Sequence, residues 1–149
     1  MPTVTVYHNM RTWFEPYQDG QLLAAVTSYR LPHTVDRDAH TVAEWAFHVC
    51  NADLDDLETH RETAEGETAF LAACVYRLLG CRSLSTGDVV DIAYDAQDGS
   101  SGHNVWLACE PIGWRQISEP SNRTGEPLTA AKVYQHLQRQ RADAVPSRG

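Results

Sequence analysis

The chain has 149 residues, 42% of them hydrophobic, and a formal net charge of −8. This length and apolar share suit one domain with a single core, exclude a disordered chain, and leave no apolar run near the ~20 residues that cross a bilayer. The acids crowd into residues 36–67, which speaks against nonspecific phosphate binding by that face, since such binding runs on basic patches.

Residues 3–8 alternate Thr3, Val4, Thr5, Val6, Tyr7 and His8, which predicts a first strand. The same segment lacks the basic-then-apolar pattern of a signal peptide, so a soluble, cytoplasmic protein is expected. Residues 9–20 form a loop holding Trp13, Phe14, Pro16 and Tyr17. A second strand spans 22–31, bounded by Gly20 and Pro32.

Asp36 or Asp38 is placed to cap a helix running to about Cys50, whose apolar stripe is Val42, Trp45, Ala46 and Val49. Residues 51–65 are acidic and weakly periodic and read as a loop or short helical turn. The clearest helix covers 67–79, with Phe70, Leu71, Cys74, Val75 and Leu78 as its expected buried face and Gly80 as a left-handed cap. Thr86-Gly87 supplies a turn before a third strand at 88–93. The glycine-rich stretch 98–102 connects it to a fourth strand at 103–110, and a short fifth follows at 114–117.

Residues 119–126 read as a linker. Pro127 suits the start of a helix over 127–142, packed on the domain or on a neighbour, and 143–149 as a tail. Residues 1–118 are thus expected to form one α+β domain: a small antiparallel sheet of about five strands with two or three packed helices.

Ser83-Leu84-Ser85-Thr86-Gly87-Asp88-Val89-Val90, a glycine-rich hairpin and then Val105 to Trp114 resemble the C-terminal half of YodL-like proteins. Related short proteins of actinobacterial phages and plasmids start with a strand ending in His-Asn, matched by His8-Asn9. They also carry a helix ending in Asn, matched by Asn51. The resemblance covers residues 1–117, with about 30 diagnostic positions. It implies accessory genes of mobile elements near conjugation or anti-defence functions, and no catalytic residues.

The candidate chemistries are few. His40, Glu44 and His48 lie at i, i+4, i+8. Positions eight apart are ~12 Å along a helix, too far for one ion, so a solvated face and no metal are expected. Ser83 or Ser85 with His103 and Asp88 supplies the residue types of a nucleophilic site without a nucleophile elbow, and turn chemistry is the expected role of Ser83, Ser85, Gly87 and Asp88. The glycines at 99 and 102 are not a phosphate loop, and no cofactor is expected. Cys50, Cys74, Cys81 and Cys109 form no C-x-x-C pair and read as buried reduced thiols.

Charge is polarised. Residues 36–67 hold ten acids and two arginines, whereas 121–149 hold five basic residues against two acids. The cluster Asp53, Asp55, Asp56 and Glu58 is a candidate acidic ridge with Leu54 and Leu57 turned inward. Trp13, Phe14 and Tyr17 are candidate exposed anchors. The expected function is a non-enzymatic accessory protein of a mobile element that binds a protein partner, counter-defence or regulatory in role, with no direct nucleic-acid or membrane binding. One alternative is a small hydrolase or transferase at the 83–103 hairpin. The other is an assembly protein dimerising through Val133, Tyr134 and Leu137.

Overall fold

A computed structural model describes residues 2–11, 14–31, 38–80, 82–95, 102–129, 132 and 139. The described elements are β1 (Thr3–Asn9), β2 (Leu23–Arg30), α1 (Ala39–Asn51), α2 (Leu54–Glu58), α3 (Ala64–Leu78), β3 (Val89–Tyr94), β4 (His103–Cys109), β5 (Trp114–Ile117) and β6 (Arg123–Thr124). The strands form one mixed sheet in the order β5-β4-β3-β1-β2-β6. All pairings are antiparallel except β2 with β6. The chain is an α+β protein.

The alternating valines of β1 explain its central place. Val4 and Val6 are fully buried against the helices, opposite Ile92 and Val90 of β3 and Tyr29 and Thr27 of β2. Val26 is an extra residue in β2 at a bulge between Val6 and Tyr7. On this face Val42, Ala43, Ala46 and Cys50 of α1 complete the main core with Leu84, Tyr76 and Leu107. The second face carries a smaller cluster of Leu23, Val89, Trp106 and Ala108. Tyr17 folds onto this cluster, and the Arg123 guanidinium lies 4.9 Å from the Trp106 ring centroid.

Each helix starts at a side-chain cap. Asp38 accepts from Thr41 N at 3.2 Å, Asp53 from Asp55 N at 3.3 Å, and Thr63 Oγ1 from Gly66 N at 2.9 Å. Gly66 is required by a close approach: a Cβ there would sit 1.7 Å from the His60 carbonyl oxygen. Gly80 (φ 65°) ends the α3 region in the expected left-handed conformation.

The acidic stretch holds α2, the short helical turn expected there, with its Asp53 cap and buried Leu57. Four other expectations need correction. The sheet has six strands, because residues 123–124, expected within a linker, pair with β2, and Leu128 continues the contact by bonding Val26 and Ser28. Pro127 to Thr129, expected to open a helix, are not helical, because Leu128 forms a bridge to Thr27 alongside β2. Tyr17 is not an exposed anchor but a core residue, since its ring fills the second sheet face.

The buried face of α3 is Ala69, Ala72, Ala73, Val75 and Tyr76, roughly 150° around the helix from the expected one. Leu78 is 65% exposed, and Leu71 is also exposed. The alanines face α1 and the sheet because they allow close approach, with Val75 and Tyr76 beside them, while Leu71 and Leu78 are left outside. The rest of the helix expected over 127–142, its stripe Val133, Tyr134 and Leu137, the tail, and the candidate anchor Trp13 lie outside the described residues apart from Lys132 and Arg139. No described helix is long and apolar enough to cross a membrane.

Candidate functional site

Strand polarity gathers the chemistry at one end of the sheet. β1 and β4 finish there, and β2, β3, β5 and β6 begin there. The loops 10–22, 82–88 and 110–113 therefore share one edge. β1 and β4 flank β3, so the first and last of these loops spring from strands roughly 10 Å apart.

The Ser83–Val90 phrase organises this end. Asp88 is fully buried, and its carboxylate accepts two 2.6 Å bonds from Arg82, from Nη2 to Oδ1 and from Nη1 to Oδ2. It also accepts from the backbone N–H of Asn9 and of Ser85, each at 2.9 Å. A carboxylate so surrounded is oriented and fully used. Gly87 (φ 98°) then turns the chain so that its N–H donates to the Cys109 carbonyl.

Asn51, at the end of α1, closes a two-bond clasp on the Leu84 backbone at 2.8 and 2.9 Å. Asn9 spans Gln21 and the Gly87 carbonyl. Tyr76 donates to the Arg82 carbonyl and meets His8 Nε2 at 2.6 Å. Burial pushes the His8 pKa down, against the pull of Asp88.

This geometry decides what Ser83, Ser85 and Asp88 do. The Ser85 hydroxyl accepts from Arg82 Nη1 at 3.0 Å, and exposed Ser83 offers its carbonyl to the same guanidinium at 3.1 Å. His103 pairs with Tyr94 at the far end of β4, five residues from the Val89–Ala108 pair, or roughly 17 Å away. The three side chains do not converge, and the motif serves as a structural hub. His40, Glu44 and His48 are all exposed along α1. Cys74 and Cys109 are free thiols, and Cys50 is buried in the main core.

What the hub holds out is apolar. Ile112, at the tip of the β4–β5 turn, is 95% exposed; Phe14 is 71% exposed, and Met10 also faces solvent. Phe14 has φ 64°, a left-handed conformation that costs a non-glycine residue about 1–2 kcal/mol. Beside the turn is a recess of about 200 Å³ between α1 and β5, with Phe47 and Trp114 in edge-to-face contact, centroids 6.5 Å apart. Glu44 and Glu110 line it too. Arg115 Nε holds Glu110 Oε1 at 2.9 Å, and Oε2 is shielded from solvent without a hydrogen-bond partner. Cys109, also in its wall, has its thiol pKa pushed up to about 12, by burial first and then by Asp88, Glu44 and Glu110.

A larger recess of about 670 Å³ lies between α3 and β2, walled by Leu71, Ala72, Val75 and Tyr29. Burial pushes the Tyr29 phenol well above its usual pKa.

Comparison with known proteins finds no match to a protein-family model, a curated protein or a solved structure.

Of the sequence candidates, Phe14 is at the loop end and exposed, whereas Tyr17 is buried. Asp53, Asp55, Asp56 and Glu58 are exposed around the single turn of α2, with Asp53 occupied as its cap. Sequence reasoning did not single out Arg82, Phe47, Glu110 or Ile112. Arg82 was signalled only by its place before the Ser-rich phrase, Glu110 and Ile112 by adjacency to the Gly113-Trp114 pair, and Phe47 by nothing local.

Proposed function

We propose that this protein is a non-enzymatic binding protein whose loop end docks on a protein partner. The observation that carries the reading is the apolar loop end itself. Met10, Phe14 and Ile112 are exposed on loops whose strand ends, Asn9 and Cys109, are both bonded to Asp88. Exposed large apolar side chains on pre-ordered backbone are the material of interface anchors, because little entropy remains to be lost on binding. Phe14 strengthens the case. It occupies a strained backbone conformation without burying its ring, so stability alone does not account for it.

The resemblance of residues 83–114 to YodL-like proteins adds a context, that of a cytoplasmic accessory protein of a bacterial mobile element, counter-defence or regulatory in role. The exposed acids of α2 favour a basic partner surface over nucleic acid.

The test is affinity capture from a host lysate with the native chain and a Phe14→Ser/Ile112→Ser variant as baits. A specific protein retained by the first and lost by the second, with both baits equally folded, is the expected result. Equal retention by both baits, or no retention by either, overturns the reading.

A further inference from the structure

We propose that the recess between α1 and the β4–β5 turn receives the guanidinium of an arginine presented by the protein partner. This rests on the binding role proposed above and deepens it by naming the residue that the partner supplies.

Size comes first. The recess holds about 200 Å³, below the ~300–1,000 Å³ of small-molecule and cofactor sites, and so fits one side chain.

The walls then choose which one. Phe47 and Trp114 stand nearly perpendicular, at 86°, so an entering flat group meets one ring face-on and the other at its edge. Aromatic faces attract cations, and a planar cation can also stack on them. The two carboxylates supply the counter-charge. Arg115 balances Glu110 on one side, which leaves Glu44 and Glu110 with one net negative charge between them and their arginine. A single guanidinium neutralises the site.

Glu110 also carries a specific vacancy in its bonding. Its Oε2 is out of reach of water and has no donor, while Oε1 is fixed by Arg115. A small rotation of the carboxylate toward the recess would offer Oε2 to an incoming N–H. A guanidinium brings a fork of donors for such an oxygen, whereas an ammonium brings a point charge that holds its water more tightly. Exposed Ile112 at the tip of the same turn gives the partner backbone an apolar contact beside the arginine.

The experiment is an NMR titration of the full chain with a capped Gly-Arg-Gly peptide, read at the Trp114 indole N–H. The controls are the same peptide with lysine and with citrulline, which keeps the shape and loses the charge. A saturable shift with the arginine peptide is expected, at least threefold weaker binding with lysine, and no saturation with citrulline. Glu110→Gln should weaken the arginine peptide at least fivefold, and Phe47→Leu several-fold, with the rest of the spectrum unchanged. An unresponsive Trp114, or equal shifts with citrulline, overturns the inference even where lysate capture succeeds. A saturable, Glu110-dependent shift combined with failed capture keeps the site and removes the partner reading instead.

Discussion

Removing the Asp88 carboxylate should cost a large share of the stability of this fold. Asp88→Ala leaves the Arg82 guanidinium without its two 2.6 Å bonds and strands the N–H groups of Asn9 and Ser85. Breaking a buried pair by deleting one partner costs about 3–5 kcal/mol. Each unpaired backbone donor adds up to about 1–3 kcal/mol where water cannot reach it. Water entering the space left by the carboxylate offsets part of the second cost, so the net loss should be about 4 kcal/mol, set against about 5–15 kcal/mol for a whole domain.

The assay is guanidinium chloride unfolding followed by tryptophan fluorescence, with Asp88→Ala, Arg82→Ala and the double variant fitted together. The double variant should be less destabilised than the sum of the singles by at least 1.5 kcal/mol, because the second deletion removes a charge already stranded. A loss below about 1 kcal/mol for Asp88→Ala, or additivity within about 0.5 kcal/mol, would show that the hub does not hold the loops and would refute the argument.

Gly66→Ala should destabilise by at least 2 kcal/mol, roughly the overpacking range, since the added methyl meets a backbone carbonyl at 1.7 Å; a melting temperature unchanged from the native chain would contradict this. Phe14→Gly should raise stability by about 1 kcal/mol through relief of the left-handed strain while weakening partner capture, and thermal melts with pull-downs check the two effects separately. Because burial lowers the His8 pKa, the unfolded chain binds the extra proton first. Stability should therefore fall as pH drops below the ordinary value of about 6.5, and His8→Gln should flatten that slope in urea titrations between about pH 7 and 5. Converting Asp53, Asp55, Asp56 and Glu58 to their amides should leave stability within about 0.5 kcal/mol, since Asn caps a helix as well as Asp, and should reduce capture of a basic partner at low salt.

Local chemistry was readable from the sequence alone. The β-branched alternation of residues 3–8, the apolar stripe of α1, the Asp38 cap, Gly80 and the Thr86-Gly87 turn each follow from short-range backbone preference, and each appears where such preference puts it. The α+β class follows from the order of those elements. The hub was legible only as a turn motif. That Asp88 is its centre depends on Asn9, Arg82 and Ser85 meeting one carboxylate, and a contact across 79 residues leaves no periodic trace.

Tertiary structure alone decided which side of α3 is buried. Sequence periodicity weights large side chains, whereas close packing against α1 and the sheet selected alanines and left Leu78 in water. It decided that Tyr17 is core and that residues 123–124 are a strand, because both depend on a sheet whose second face and edge are assembled from distant segments. It also made the candidate site. Nothing in the separate segments of Glu44, Phe47, Glu110 and Trp114 links them, and only the packing of α1 beside the β4–β5 turn sets two carboxylates and two rings around one recess.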